Sequence, residues 1–419
     1  MMHARLPKPA VVLLAGLLSL TLPGLACAAP ALRPDMVQSL ERMQSRLDGG
    51  DPAALADDAR AAAARLEGGN AADRWARALF LQIAANAERR RDNPVAAAEL
   101  LAQARSLDGI EREYRRRWLH QEARLRLSAD QTARGVELLG QWLEQDEAAA
   151  DDGNRWLMAQ GLAQLERWEA AAEWVDRARR GAGATADGRR LELAASIYQR
   201  AGREREALTS LDALLGAAEV TADTWRRAAG LAQRLDHPGR AAAIWEAGWR
   251  RGALQGEAAL HQLIQLHRAG GTPARAAEHL ERALANGQLE DNLANRRLLA
   301  QAWSAARDRD AALEAWHAVS ERSQKGEDWR QLGELAYAWG RWELAIEALR
   351  RARRAGEATP RDWLLEGVSA LEQGDREVAR AAFEAARQAG AEQAEAWLDS
   401  LQSRAAGVGA ESAKKARSG

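Results

Sequence analysis

The chain has 419 residues, with 59 basic and 60 acidic side chains and a formal net charge of −1. Such a balance argues against a nucleic-acid partner, because proteins that bind nucleic acid usually present a clearly basic surface. Alanine, leucine, arginine and glutamate dominate and β-branched residues are few, which favours helices over strands, and a single cysteine excludes a disulfide framework.

Residues 1–28 have the pattern of a signal peptide. Arg5 and Lys8 precede an almost wholly apolar stretch, and small residues at Ala26 and Ala28 occupy the positions that a signal peptidase recognises. This predicts cleavage after Ala28 and export to the periplasm. The alternative, retention as a membrane anchor, is disfavoured because about a dozen apolar residues do not span a bilayer, which needs about 20.

Cys27 allows a second interpretation, because a cysteine at this place can be the lipidated first residue of a bacterial lipoprotein. A lipidation signal has a branched apolar residue three positions before the cysteine, but Gly24 stands there and Leu25 comes one place too late. We therefore expect a mature chain without cysteine, with 57 basic and 60 acidic side chains and a net charge of −3. No later stretch is long and apolar enough to span a membrane.

After this segment the sequence repeats itself at a spacing of 34 residues, most clearly near the C-terminus. Tryptophan, glycine, alanine and a leucine or aromatic residue recur in the same order in two successive segments. The pattern resembles the tetratricopeptide repeat, whose motif has Trp, Leu-Gly, small and aromatic residues at these offsets. The residues that carry it are Trp329, Leu332, Gly333, Ala345, Leu349 and Ala352, followed by Trp363, Gly367, Ala379, Phe383 and Ala386.

The spacing has a physical basis in a unit of two antiparallel helices. Their backbones approach closely only where side chains are small, as at Gly333 and Ala345, and Gly340 tolerates the left-handed conformation that ends the first helix. One pair cannot bury its apolar face alone, so neighbouring pairs must stack. The predicted fold class is therefore all-α, a right-handed superhelical solenoid of tetratricopeptide-like helix pairs with a concave groove.

The same frame predicts the organisation of the chain. Residues 29–150 are expected to hold degenerate N-terminal repeats, and residues 151–402 to hold clearer ones, for roughly 17 helices in all. Residues 403–419 lack apolar periodicity and are expected to be a disordered tail. The best repeat units are 292–325, 326–359 and 360–393.

The residues that usually carry chemistry do not form an expected active site. Two zinc-binding histidines on one helix face need a spacing of i and i+4, and His261 and His267, the nearest pair in sequence, do not have it. The sequence has no Gly-rich phosphate loop and no serine nucleophile elbow. No segment interrupts the repeats to house a lysozyme-like domain. We expect no enzyme, no cofactor and no metal.

Two further features have alternative interpretations. The arginine runs at 89–91 and 115–117 could bind phosphate or an anionic lipid, but neighbouring glutamates favour a solvated helix face. The tryptophans could form carbohydrate platforms, but Trp225, Trp329 and Trp363 occupy a motif position that packs between helices. Four others are less well explained by the motif, and an exposed aromatic there would mark a contact surface: Trp168, Trp174, Trp249 and Trp342.

The concave groove is the predicted functional site. In tetratricopeptide proteins, ligands contact defined positions of the first helix of each pair. The side chains carried over to those positions are mostly cationic or hydrogen-bond donors, which suggests an acidic or carboxylate-bearing extended peptide, unless they are simply exposed arginines of an arginine-rich chain. They are Arg226, Gln233, Arg234, His261, Gln265, Arg268, Arg296, Trp303, Arg330, Glu334 and Tyr337.

Residues 327–401 also resemble the end of the periplasmic tetratricopeptide proteins that accompany the TonB, ExbB and ExbD energy-transducing system of Gram-negative bacteria. The resemblance rests on residues 337–346, on 364–367, and on a closing helix with Ala394, Trp397 and Leu401. It implies a non-enzymatic accessory that contacts the inner-membrane complex and aids uptake of iron-siderophore or similar cargo. The alternatives are a scaffold for envelope polysaccharide export or outer-membrane assembly, and a helical protein associated with a murein hydrolase.

Overall fold

The structure is a computed structural model that describes residues 30–49, 51–145, 151–181, 187–217, 219–356 and 358–403. The predicted signal peptide, its cleavage site after Ala28 and Cys27 lie outside these residues, as does the predicted tail beyond residue 403. Within the described ranges the chain forms helices and turns and no strand, which confirms the all-α fold class. None of the helices described there is both long enough and apolar enough to cross a membrane.

The chain divides into two compact units, residues 1–184 and 185–419. The helices of the first unit are α1 (Pro34–Gly49), α2 (Pro52–Ala64), α3 (Ala71–Arg90), α4 (Pro94–Ser106), α5 (Arg112–Ser128), α6 (Thr132–Gln145), α7 (Asp152–Gln164) and α8 (Trp168–Gly181).

The second unit continues the same architecture. Its helices are α9 (Gly188–Arg200), α10 (Glu204–Leu215), α11 (Ala222–Arg234), α12 (Pro238–Arg250), α13 (Glu257–Ala269), α14 (Pro273–Ala285), α15 (Leu293–Ala306), α16 (Arg309–Ser323), α17 (Gly326–Ala338), α18 (Trp342–Arg354), α19 (Pro360–Glu372) and α20 (Arg376–Gln388). A further helix, α21, covers residues 393–403.

Within each unit, consecutive helices pack against one another through most of the sequence. The turns that join partners are short, as between α17 and α18, so the chain must reverse direction and the partners run antiparallel. Each unit is thus a solenoid of tetratricopeptide-like helix pairs. The expected number of roughly 17 helices is wrong, because regular helices already fill residues 34–145, where the repeat motif is weakest.

The α17–α18 pair shows why the motif residues are needed. A methyl group placed on Gly333 would lie 2.8 Å from Cγ of Leu349 and 3.3 Å from its backbone nitrogen, so only glycine permits this approach. Gly340 ends α17 with φ of +70°, a conformation that other residues adopt at a cost. Around this contact Leu332, Ala345 and Leu349 are completely buried. The small residues therefore set the distance between helices, and the larger ones fill the space beside them.

Ion pairs join neighbouring helix pairs of the second unit. Asp362, the third residue of α19, is completely buried and accepts from the Nε of Arg330 on α17 at 2.8 Å. It also forms a capping box with Thr359. Asp328, the third residue of α17, accepts from Nε and Nη2 of Arg297 on α15 at 3.0 and 2.6 Å. Burial opposes ionisation of Asp328, but hydrogen bonds from Arg297 and Ser323 together with the charges of Arg297 and Lys325 outweigh it and lower the pKa of that carboxyl.

Candidate functional site

The predicted groove residues lie on four alternate helices of the second unit, and none of their side chains is fully buried. These helices are the first members of the pairs α11–α12, α13–α14, α15–α16 and α17–α18. Their contributions are Arg226, Gln233 and Arg234 from α11, His261, Gln265 and Arg268 from α13, Arg296 and Trp303 from α15, and Arg330, Glu334 and Tyr337 from α17.

Three of the predicted cationic side chains are already bound by acids of the same chain. Arg330 is held by buried Asp362, and Arg234 donates to Glu204 at 2.6 Å. Arg296 forms a two-bond pair with Asp291, at 2.5 and 2.7 Å. The free positive charge on this face is therefore smaller than the sequence suggests. Two of the acidic partners, Asp362 and Glu204, lie 32 and 30 residues away in the sequence.

Two other predicted groove residues are likewise engaged. The indole nitrogen of Trp303 donates to Glu281 at 2.9 Å. Glu334 accepts from Arg361 at 3.0 Å, so the predicted acid of the groove is neutralised as well. These contacts leave α11 and α13 as the helices whose predicted polar groups are most available. Within the described part of the chain, no ion pair holds the exposed guanidinium of Arg226.

Gln265 and Arg268 line an open cavity of about 570 Å³, which we name the α13 cavity. The other lining residues come from α13, from the turn that follows it, and from α14 and α15: Ala269, Gly271, Pro273 and Ala305. Gln265 and Arg268 lie within 3.5 Å of each other, and both side chains are exposed. The cavity thus combines one cation and one amide with an apolar wall.

A smaller cavity of about 380 Å³ adjoins the α13 cavity, with which it shares Gly271, Pro273 and Ala305. Thr272 and Arg275 are among its further lining residues. Thr272 also lies 2.9 Å from Nδ1 of the buried His267, and Arg275 contacts the buried carboxylate of Glu246.

A second constellation, the Glu-His-His cluster, consists of Glu246 on α12, His267 on α13 and His279 on α14. All three residues are buried. The Nε2 atoms of His267 and His279 lie 3.5 and 3.4 Å from Oε2 and Oε1 of Glu246, and the imidazole rings stack with centroids 5.6 Å apart. One potential ligand atom from each residue lies within 4.8 Å of the other two.

The electrostatics of the cluster follow from its burial. Burial lowers the pKa of both histidines, which are therefore neutral at neutral pH. Burial opposes ionisation of Glu246, but hydrogen bonding from the Arg275 guanidinium and the charge of that group outweigh it and lower the pKa of the carboxyl. The cluster is thus an anionic carboxylate facing two neutral imidazoles.

Sequence reasoning missed this cluster. His261 and His267 are the nearest pair in sequence, but the structure brings His267 and His279 together from different helices, with ring centroids 5.6 Å apart. Spacing rules for a single helix do not detect residues that converge only when consecutive helices pack. The signal that could have identified them is a histidine on the buried face of each of two consecutive helices, His267 on α13 and His279 on α14.

The four tryptophans that the motif explains less well are not among the exposed side chains. Trp168, Trp174, Trp249 and Trp342 are each partly buried, and Val37 is the one large hydrophobic residue exposed among those described. Trp249 packs against the core formed by α13 to α15. The condition for a contact surface at these positions, an exposed aromatic side chain, is therefore not met.

The arginine runs make contacts within their own chain. Arg91 pairs with the buried carboxylate of Glu88 at 3.1 Å. Arg116 lies over the ring of Trp142 at 5.4 Å, and Arg117 lies over a tyrosine ring at 4.5 Å. Such contacts favour the interpretation of a helix face balanced by its own side chains over a site for phosphate or lipid.

No known protein family matches the sequence, and no curated protein matches it. Among solved structures, the chain is similar to the C-terminal part of a TPR repeat-containing protein from Cytophaga hutchinsonii, with 10% identity over 67% of this chain and 94% of that one and a TM-score of 0.36. A tetratricopeptide repeat protein from Parabacteroides merdae is 18% identical over 60% of this chain and 98% of that one, with a TM-score of 0.27. MamA from Desulfovibrio magneticus is 13% identical over 46% of this chain and 96% of that one, with a TM-score of 0.33.

These likenesses are too weak to carry an argument about activity or partner. The helix pairs themselves define the class of protein: a solenoid of tetratricopeptide-like repeats, an architecture that presents extended surfaces for binding other proteins.

Proposed function

We propose that the chain is a non-enzymatic protein–protein interaction module that binds an extended peptide at the α13 cavity. The observation that carries this proposal is the pairing of Gln265 and Arg268 at an open cavity bounded by α13, α14 and α15. The Arg268 guanidinium suits a carboxylate, to which it can donate two parallel bonds. The Gln265 amide can both donate to and accept from a peptide backbone.

The shape and lining of the cavity limit what it accepts. Its apolar wall of Ala269, Pro273 and Ala305 offers contact to a small apolar side chain next to the bound carboxylate. The remaining predicted groove cations are Arg226 on α11, which is free to contribute, and three arginines that are paired internally. The peptide is therefore expected to carry one or two acidic groups and not a long acidic run.

We further propose that the module acts in the periplasm as an accessory of a TonB-type energy-transducing transport system. The signal-peptide pattern of residues 1–28 supports the compartment. The resemblance of residues 327–401 to periplasmic repeat proteins of that system supports the role. Its partner would then be a segment of TonB, ExbB or ExbD.

Photocrosslinking in intact cells tests both proposals. In the full chain a photoreactive residue replaces Ala305, which lines the cavity, and leaves Gln265 and Arg268 in place, and a matched control replaces Arg282, an exposed arginine of α14 that does not line the cavity. Capture of a TonB, ExbB or ExbD segment at position 305, and not at 282, is the expected result. Capture of polysaccharide-export or outer-membrane assembly components at 305 would retain the module and overturn the TonB role. Equal capture at the two positions would overturn the cavity as the binding site.

A further inference from the structure

We propose that Glu246, His267 and His279 form a binding site for a divalent transition-metal ion of the zinc class. Two imidazoles and one carboxylate are a ligand set that zinc uses in proteins, with a fourth position left to water or another group. The site is independent of the peptide-binding proposal, since its residues do not include Gln265 or Arg268.

The distances suit a metal ion better than they suit hydrogen bonds. The Nε2 atoms lie 3.5 and 3.4 Å from the Glu246 oxygens, and among the described residues neither nitrogen has a hydrogen-bond partner. Bonds of about 2.0–2.1 Å to a tetrahedral ion separate its ligand atoms by about 3.4 Å. The three side chains therefore already stand at the spacing that such an ion requires.

The contact between His267 and Thr272 admits a tautomer that suits a metal ion. When the Thr272 hydroxyl donates to the His267 carbonyl oxygen, 3.2 Å away, it accepts from the Nδ1–H of the same residue, 2.9 Å away. With the proton on Nδ1, the Nε2 of the neutral ring carries a bare lone pair that faces the Glu246 carboxylate. A metal ion placed between these two groups would accept a lone pair from each.

The bond from Nδ1 to Thr272 has a second consequence. Metal-ligating histidines commonly donate their other ring nitrogen to an oxygen, which fixes the orientation of the ring. Thr272 supplies that oxygen here, and it stands at the N-terminus of α14, the helix that carries His279. The support for one ligand is thus built into the helix that carries another.

Arg275 is the group that competes with an ion. Its guanidinium contacts Glu246 and also Glu278, the latter at 2.7 Å. The side chain is 42% exposed and lines the smaller cavity together with Thr272, so it can move into that cavity without unfolding the site. Removing this guanidinium is therefore expected to tighten metal binding, an effect that a purely structural ion pair does not predict.

Titration of the full chain with Zn²⁺ by isothermal calorimetry tests the site after dialysis against a chelator. We expect one ion per chain, at least tenfold weaker binding in a variant with His267→Gln and His279→Gln, and tighter binding in Arg275→Ala. His261→Gln is the matched control, because that histidine lies on α13 outside the cluster, and its affinity should equal that of the unmodified chain. Absence of stoichiometric binding, or binding that survives loss of both histidines, would overturn the proposal.

A spectroscopic measurement on the unmodified chain keeps the proposal testable even if the double variant misfolds. Co²⁺ in a four-coordinate site of imidazole and carboxylate ligands absorbs in the visible range, and the unmodified chain loaded with Co²⁺ is expected to show that band. If the band is absent, the proposal fails whatever the variants do. If it is present, Arg275→Ala should reach it at a lower Co²⁺ concentration.

Discussion

The guanidinium of Arg330 donates to the fully buried carboxylate of Asp362, 32 residues later in the sequence, with Nε and Oδ1 2.8 Å apart. Arg297 and Asp328 form the same relationship one repeat earlier. In both cases the arginine is the fifth residue of the first helix of a pair, and the aspartate is the third residue of the first helix of the next pair. These ion pairs join successive repeats, so the stacking of α15, α17 and α19 depends on specific electrostatic contacts as well as apolar burial.

Arg330→Ala is expected to destabilise the second unit by about 3 kcal/mol, since breaking a buried pair leaves an uncompensated charge in the interior. Arg296→Ala is the control, because its pair with Asp291 is much more exposed, so solvent screening leaves that pair a smaller contribution to stability. Urea unfolding followed by far-UV circular dichroism measures both. Equal losses in the two variants would show that Asp362 does not depend on its arginine.

Gly367→Ala is expected to destabilise the α19–α20 pair by about 1–2 kcal/mol. The new methyl group would lie 2.5 Å from Cε1 of Phe383, and that ring is completely buried and stacked on Trp397 at 5.6 Å, so it cannot move aside. Overpacking therefore outweighs the gain in helix propensity, which is about 1 kcal/mol. The midpoint of urea unfolding is the measurement.

Gly230→Ala is the matched substitution for that test. A methyl group on Gly230 of α11 would have Nη1 of Arg234 as its nearest neighbour, at 3.9 Å. Because no overpacking occurs there, only the higher helix propensity of alanine acts, and the free energy of unfolding should rise by up to about 1 kcal/mol. A loss of stability at Gly230, or a gain at Gly367, would contradict the close-approach interpretation of the motif glycine.

His120 is expected to make the first unit less stable in mild acid. The ring stacks on Trp142 at 4.2 Å, its Nε2 lies 2.7 Å from Oδ1 of Asn154, and burial lowers the pKa of its imidazole. The unfolded chain, with an ordinary pKa of about 6.5, then binds the proton more readily than the folded chain. The free energy of unfolding must fall as the pH drops below about 6.5.

His120→Gln removes this dependence while keeping a side chain that can donate to Asn154. Urea midpoints at about pH 7.5 and about pH 5 should differ less in the variant than in the unmodified chain. Every other titrating group is present in both chains, so the difference in their pH dependence of the urea midpoint measures the contribution of His120. A variant whose midpoints shift as much as those of the unmodified chain would remove His120 as the cause.

The repeat architecture could be predicted from sequence because its determinants are local and periodic. Gly333 and Gly367 fall at the same place in successive units, and each has a bulky partner, Leu349 or Phe383, at a fixed offset on the second helix. Helix number in residues 34–145 was harder to predict, since the apolar pattern there persists without the motif residues that set the register.

The candidate sites were predictable only in part. Positions on the exposed face of first helices follow from the repeat frame, so Gln265 and Arg268, which line the α13 cavity, could be placed on that face. Whether a given arginine is free depends on acids elsewhere in the chain, as Asp362 is for Arg330. The convergence of His267 and His279 depends on the rotation of α13 and α14 about their axes, which no spacing rule for one helix contains.

Reversing the charge of Arg268 is expected to abolish peptide capture, whereas reversing that of Arg234 is expected to leave it largely unchanged. Arg268→Glu places a carboxylate at the α13 cavity, where it would repel the acidic group of the ligand. Arg234 does not line that cavity, and its charge is already matched by Glu204. The measurement is the yield of a crosslink from a photoreactive residue at position 305, compared between the two variants. If Arg234→Glu reduces the yield as much as Arg268→Glu does, binding depends on the general charge of the face and the α13 cavity is not its focus.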